Sequence, residues 1–171
     1  MIFVLAYPEF EAAPAERLHR FRARHEPRRA ERLPPHLTLM FGVKTAHLRT
    51  VTRLVETAAE RTPPFAVAFD APRIEFDPFE ATHKIVLRCT EGREAATALH
   101  RRLYDGPHRA ELSPDHPFRP HMTIAAHRER AEAEQVDVAH AADLPLVGAV
   151  RALELVRLDD DVLTSLRSAP L

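Results

Sequence analysis

Two short segments of the sequence each place a threonine two residues after a histidine. They are PPHLTLMF at residues 34–41 and FRPHMTIAAH at residues 118–127. Successive side chains of an extended chain point to opposite faces, so His36 and Thr38 share one face of a predicted strand. His121 and Thr123 share one face of another. The alternating neighbours are apolar, as the buried face of a strand requires, and each segment therefore presents one imidazole and one hydroxyl together.

Two imidazoles and two hydroxyls are suited to displacement at phosphorus. An unperturbed imidazole has a pKa of about 6.5, so one histidine can accept a proton from a nucleophile while the other donates a proton to a leaving oxygen. Threonine hydroxyls can donate hydrogen bonds to the non-bridging oxygens of a phosphate. A phosphodiester beside a ribose hydroxyl, or its 2′,3′-cyclic form, is the natural substrate for such a set.

The two segments lie at corresponding places in an internal repeat. In a chain of this length and composition, Pro-His-x-Thr is expected only about 0.06 times by chance. The helical segments EAAPAERLHRF (11–21) and EAATALHRRL (94–103) precede the two motifs at similar distances, about half the chain apart. This echo predicts a single domain, 1–171, made of two interleaved lobes that correspond roughly to residues 1–85 and 86–171.

Hydrophobic periodicity predicts the elements that must position the motifs. Helical spacing predicts helices over 11–25 and 92–104, a helix with Thr45 as N-cap that ends before Pro63, and a short helix at the start of 128–142. Alternation predicts one strand over 150–158, with 162–169 as its partner. The other predicted strands are 2–7, 36–43, 65–69, 74–76 after Pro72, 83–89 and the one that begins at His121.

Composition narrows the class of protein. The chain has 171 residues, 45% of them apolar, and a net charge of −1, so we expect one soluble globular domain that is not a polycation made for duplex DNA. The apolar runs are far shorter than a membrane span, and the opening run lacks the pattern of a signal peptide. Cys89 is the only cysteine, which excludes an intrachain disulfide. A cytoplasmic monomer without membrane contact is expected.

Seven arginines crowd residues 17–32 immediately before the first motif. One interpretation is a solvated, arginine-rich helix. The other is a local basic field that borders the site and attracts an anionic ligand. The sequence leaves both interpretations open.

The paired motifs resemble those of the 2H phosphoesterase superfamily, and within it the bacterial 2′-5′ RNA ligase-like (cyclic phosphodiesterase) proteins. The resemblance covers nearly the whole chain and rests on PHLTL at 35–39 and PHMTI at 120–124, with support from RARHEP (22–27), FRPH (118–121) and ALELVRL (152–158). It implies an α+β, bilobal fold in which two pseudo-twofold-related antiparallel sheets, flanked by helices, enclose a central cleft.

The resemblance also implies the roles of the motif residues. His36 and His121 would be catalytic, and Thr38 and Thr123 would bind phosphate, without a metal or other cofactor. In opening a cyclic phosphate, His121 would activate water and His36 would protonate the leaving oxygen, although the pseudo-twofold makes the two histidines nearly equivalent. RNA ends or nucleotide cyclic phosphates are the expected partners.

Two other functions compete with an RNA cyclic phosphodiesterase or 2′-5′ RNA ligase. One is a non-catalytic module that binds nucleotides or RNA ends, and the other is a small-molecule cyclic phosphodiesterase acting on an ADP-ribose cyclic phosphate or a 2′-5′ oligoadenylate. Both full motifs favour catalysis over binding alone. Arg119, Phe41 and His25 are further candidates for substrate contact, each with a structural role as the alternative.

No metal site is predicted. His116, His121 and His127 form the best cluster of possible ligands, but no converging carboxylates or regular ligand spacing accompany it. The remaining histidines are expected on the surface or in loops.

Overall fold

Two antiparallel sheets form the framework, and each draws strands from both halves of the chain. The computed structural model describes residues 1–112, 117–141, 143–160 and 162–171. In the first sheet the order is β3 (Leu37–Val43), β1 (Ile2–Ala6), β8 (Ala152–Asp159) and β9 (Val162–Pro170). In the second it is β2 (Glu9–Phe10), β7 (Leu146–Val150), β4 (Phe65–Asp77), β5 (Thr82–Glu91) and β6 (His121–His127). The predicted α+β fold with two antiparallel sheets is confirmed.

The helices pack on the two sheets, and one of them connects the sheets. They are α1 (Ala12–His25), α2 (Pro27–Ala30), α3 (Leu48–Glu60), α4 (Arg93–Leu103) and α5 (Arg130–Glu134). Helix α1 directly follows β2 of the second sheet and packs on β6 of that same sheet, whereas α4 follows β5 of the second sheet and packs on β3 of the first. Within the described ranges, no helix has the length and apolar composition needed to cross a membrane.

Two predicted boundaries were wrong. The strand expected over 150–158 is divided at Arg151, where the chain leaves β7 of the second sheet and enters β8 of the first. Both flanking segments are apolar and alternating, so their pattern does not reveal the change of sheet. Thr45 is not an N-cap, because a 3₁₀ turn, Thr45–His47, precedes α3 and places His47 at the cap position.

Strand β4 continues through Pro72, where the sequence predicts two separate strands. It pairs with β5 over most of its length but with β7 only over Phe65–Phe69. Pro72 therefore lies in a stretch where β4 forms an edge, and the missing amide of a proline is tolerated in an edge strand. The register shifts between Asp70 and Pro72, where Ala71 adopts a positive φ of 49°.

Both motif strands contain a β-bulge directly after the threonine. In β3 the extra residue is Leu39, which lies between Thr38 and Met40 when the strand is matched to β1. In β6 the corresponding residue is Ile124 when the strand is matched to β5. A bulge interrupts the two-residue alternation of side chains. Each extra residue and the apolar residue after it are consequently both fully buried.

Candidate active site

The two motifs meet where the sheets meet. Strands β3 and β6 are outer strands of their own sheets and contact each other. His36 immediately precedes β3, and His121 is the first residue of β6. The imidazoles are close enough for a charge on His121 to lower the pKa of His36. The structure therefore brings together the two histidines that the sequence singles out.

The two imidazoles are held by equivalent hydrogen bonds. Nδ1 of His36 donates to the carbonyl oxygen of Pro34 at 2.9 Å, and Nδ1 of His121 donates to that of Arg119 at 2.8 Å. A carbonyl oxygen can only accept, so Nδ1 must carry the proton in both rings. In the neutral rings Nε2 is therefore unprotonated and able to accept a proton.

Burial holds both histidines in the neutral form, although to different degrees. Desolvation lowers the pKa of His36 to about 4, and the positive charges of Arg22 and Arg29 add to the effect against the hydrogen bond to Pro34. Desolvation also lowers the pKa of His121, and Arg88 and Lys84 add to the effect, but there the carboxylate of Glu75 joins the hydrogen bond to Arg119 in opposing the shift. The electrostatic surroundings of the two rings thus break the pseudo-twofold symmetry.

The cations around the site are already paired with carboxylates. Within α1 the guanidinium of Arg22 binds the carboxylate of Glu26, and both side chains are only 2% exposed. On the other side of the junction, Arg88 lies opposite His121 across β5 and β6 and binds Glu75. Arg22 and Arg88 therefore each already have a carboxylate partner.

Lys84 and Arg29 belong to the same charged surroundings. The ammonium group of Lys84 binds Asp77 and lies 3.2 Å from Glu80, which Arg29 also binds. The end of the arginine-rich segment therefore borders the site. Its beginning is engaged elsewhere, with Arg17 bound to Asp143.

Thr38 and Thr123 are half-buried on the two motif strands. Thr38 lies opposite Leu5 in β1, and Thr123 lies opposite Val86 in β5. Each threonine is two residues after its histidine and directly before its bulge, so the motif retains regular alternation up to the hydroxyl. A position of each hydroxyl beside its imidazole remains a prediction from this alternation.

His100 links the two motif strands from within the core. Its Nδ1 donates to the carbonyl oxygen of Leu39, the bulge residue of β3, at 2.8 Å. Its ring stacks on Phe118 at 3.9 Å between centroids, three residues before His121. The expectation of a surface position was wrong, because His100 is only 7% exposed. The sequence signal that could have predicted its burial was its position one turn after Ala96, on the inward face of α4.

Tyr7 is a further neighbour that the sequence does not single out. Its ring lies edge-on to His36 at 6.4 Å between centroids, because β1 ends beside the start of β3. Burial, with the negative charge of Glu154, raises the pKa of Tyr7 to about 12. The phenol therefore remains protonated near neutral pH and can act as a hydrogen-bond donor.

The three weaker candidates have different positions. Arg119 precedes the second motif with an exposed side chain, and its carbonyl oxygen accepts from His121 and, at 3.4 Å, from Arg88. Phe41 is half-exposed on β3, and its amide donates to the hydroxyl of Tyr104 in the segment after α4. Arg119 therefore lies just before β6, and Phe41 lies within β3.

His25 packs against the far end of β6. Its ring lies 5.6 Å from that of His127 and 4.5 Å from that of Phe21, measured between centroids. His127 is six residues after His121, which corresponds to roughly 20 Å along a strand. The structure therefore separates His25 from the second motif.

The described residues contain no group of three or more histidine, cysteine, aspartate or glutamate side chains arranged to hold a metal ion. His116, the first member of the best cluster in the sequence, lies outside the described residues. His121 and His127 stand at opposite ends of β6.

Comparisons with known proteins agree with this fold. Three solved structures each cover 99% of this chain and 97% of their own. E. coli LigT complexed with 3′-AMP has a TM-score of 0.64 at 20% identity. TT0787 of Thermus thermophilus has a TM-score of 0.67 at 22% identity, and Kluyveromyces marxianus Usb1 has 0.61 at 12% identity. No curated protein matches the chain significantly by sequence.

The family assignment rests on sequence as well as on fold. The family model for the 2′-5′ RNA ligase superfamily matches residues 10–162. This range contains both motif strands with their bulges, and helices α1 to α5. The chain therefore belongs to the 2′-5′ RNA ligase superfamily of 2H phosphoesterases.

Proposed function

We propose that this phosphoesterase acts without a metal on 2′,3′-cyclic phosphates or 2′-5′ linkages at RNA ends. The observation that carries the proposal is the pair of imidazoles, each fixed by Nδ1 with Nε2 unprotonated and each accompanied by a threonine hydroxyl. The complex of E. coli LigT with 3′-AMP supports a nucleotide phosphate as the type of ligand. The test is turnover of a 2′,3′-cyclic mononucleotide, a cyclic-phosphate-ended RNA and a 2′-5′-linked dinucleotide. Turnover of none of them would contradict the proposal.

The chemistry requires one proton acceptor and one proton donor. One neutral imidazole takes a proton from water as the oxygen of that water forms a bond to phosphorus. The bond from phosphorus to one ribose oxygen breaks, and the second imidazole, in its protonated form, donates a proton to that oxygen. The product is a phosphomonoester, and proton exchange with solvent restores both rings. Thr38 and Thr123 donate hydrogen bonds to the non-bridging oxygens.

The charges favour one order of roles. His36 has the pKa of about 4 and faces two arginines, so it is suited to remain neutral and act as the base. His121 also has two cations nearby, Arg88 and Lys84, but it alone has a carboxylate, Glu75, that raises its pKa, so it is the better suited to act as the acid. This is the reverse of the order that the family resemblance implies, and we propose it for the hydrolytic direction. In the ligation direction the roles exchange.

The role assignment predicts a specific change in the pH profile. Both pKa values lie below the usual 6.5, so kcat/KM should be greatest below about pH 6.5. Glu75→Gln removes the carboxylate that opposes the lowered pKa of His121. If His121 is the acid, the high-pH limb should move to lower pH while the low-pH limb stays in place. Movement of the low-pH limb alone would show that His121 is the base. Glu134→Gln, in an exposed ion pair with Arg130, is the control.

Chelation should leave the activity unchanged. Two imidazoles already supply the acid and the base, so the proposed steps contain none that a metal must perform. We expect the rate with 2′,3′-cyclic AMP to be the same within about twofold after dialysis against EDTA. Activity that disappeared in EDTA and returned with a divalent cation would contradict a metal-independent mechanism.

A further inference from the structure

The turn between β4 and β5 holds a phenylalanine ring out into solvent. Phe79 is 90% exposed. Its backbone is nevertheless fixed, because one carboxylate oxygen of Asp77 accepts from the amide of Phe79 at 2.8 Å and from that of Glu80 at 3.3 Å. An ordered backbone lowers the entropy lost when an exposed side chain binds a partner. The backbone that carries the Phe79 ring is therefore already ordered before a partner binds.

Ion pairs connect the same turn to charged residues beside the candidate active site. The carboxylate of Glu80, the residue after Phe79, binds Arg29 and lies 3.2 Å from the ammonium group of Lys84. The charge of Arg29 acts on His36, and that of Lys84 acts on His121. Phe79 is therefore adjacent in sequence to Glu80, whose carboxylate contacts one cation that acts on His36 and another that acts on His121.

Helix α2 brings arginines to this turn, because Arg29 binds Glu80. Arg28, the neighbour of Arg29 in α2, is exposed, as is Arg24 in the last turn of α1. Phe76 is half-exposed in the same hairpin, where its ring packs against His83. An exposed aromatic ring in a turn that contacts an arginine-bearing helix matches single-stranded nucleic acid, which offers bases for stacking and phosphates for cations.

We infer that Phe79 is a stacking platform for a base of single-stranded RNA whose 3′ end occupies the active site, with Arg28 meeting a phosphate of the same strand. This inference rests on the proposed function and narrows its substrate class to oligonucleotides. Lys84 lies four residues, or roughly 13 Å, along β5 from Arg88, which pairs with His121. The turn lies beyond Lys84, so the stacked base belongs to a nucleotide upstream of the reacting phosphate.

The test compares substrates of increasing length. For the wild type, kcat/KM should rise from a 2′,3′-cyclic mononucleotide to cyclic-phosphate-ended RNAs of two to six nucleotides. Phe79→Ala should remove this rise, with a loss of roughly 5- to 150-fold on the longest substrate, the range for one stacked base. Its rate with the mononucleotide should change less than about twofold. Phe79→Trp should retain the rise and Phe79→Leu should not, because only the former keeps an aromatic face.

A binding measurement separates this inference from the proposed function. Fluorescence anisotropy with a labelled six-nucleotide RNA should show weaker binding by Phe79→Ala, and Arg28→Ala should reduce the salt slope by about 0.7. Val162→Ala, another exposed apolar residue, is the control. Absence of turnover with every substrate would contradict the proposed function, while binding would still decide the role of Phe79. Equal RNA binding by wild type and Phe79→Ala, or a change only in oligomeric state, would overturn the inference.

Discussion

Replacing either motif histidine by alanine is expected to lower kcat/KM on a 2′,3′-cyclic phosphate by about 10²–10⁴-fold, the usual effect of losing a general acid or base. His36→Ala and His121→Ala should each be close to inactive, because neither imidazole can perform both proton transfers in one turnover. Each variant should also lose one limb of the bell-shaped pH profile. Thr38→Ala and Thr123→Ala should have smaller effects, since each removes one hydrogen bond to phosphate and leaves proton transfer intact.

Controls must separate lost chemistry from lost structure. His140→Ala removes an exposed histidine paired with Asp137 and should retain wild-type activity. His36→Asn keeps a side chain that can donate to the carbonyl oxygen of Pro34 but cannot act as the base. Circular dichroism and thermal melting should show that all these variants are folded. Folded His36→Ala and His121→Ala proteins with near wild-type rates would refute the two-histidine mechanism.

Replacing Arg22 by methionine is expected to lower the free energy of unfolding by about 3–5 kcal/mol, because it leaves the carboxylate of Glu26 buried without its main partner. The double variant Arg22→Met/Glu26→Leu should recover most of this loss, since it removes the uncompensated charge. Arg130→Met is a matched control, with the same i,i+4 spacing to Glu134 but in solvent, and should cost about 0.5 kcal/mol or less. Urea unfolding at pH 7 measures all three.

The pH dependence distinguishes a charge effect from a packing effect. Burial raises the pKa of Glu26, while Arg22, Arg29 and Lys84 lower it. Without Arg22 the folded-state pKa of Glu26 should rise further above its value in the unfolded chain. The contribution of a group with a raised pKa is complete below the unfolded pKa and is lost as pH increases through the folded pKa. Arg22→Met should therefore regain stability as the pH falls from 7 towards 5, whereas a simple cavity would give a constant loss.

The parts of the site that depend on local alternation could be predicted from the sequence. His36 with Thr38, and His121 with Thr123, share a face because two residues is the period of a strand, and this holds whatever the partner strand is. The helices over 11–25 and 92–104 were predictable for a similar reason, since 3.6-residue spacing of apolar side chains is also local. These predictions are confirmed for the elements in α1 and α4.

The remainder depends on contacts between distant segments. Glu75 acts on His121 only because β4 pairs with β5 and β5 pairs with β6, so that Arg88, opposite His121, can also bind Glu75. Likewise, the sequence shows His100 only as a helical residue. Its hydrogen bond to Leu39 exists because α4 packs on β3 of the other sheet. The division of one alternating segment into β7 and β8 has the same origin. Pairing between segments far apart in sequence leaves no periodic signature within either segment, so such features became visible only in the folded chain.

The bulges in the two motif strands limit how the chain can change its length. Each bulge is a one-residue insertion that shifts the side chains directly after it to the opposite face. Removing Leu39 or Ile124 would therefore do more than delete an apolar side chain, because the buried residue that follows would be turned toward the other face. A substitution leaves the number of residues in the strand unchanged, whereas a single-residue deletion does not. The distance along the chain from each motif histidine to the end of its strand is thus constrained more tightly than the identity of the side chains between them.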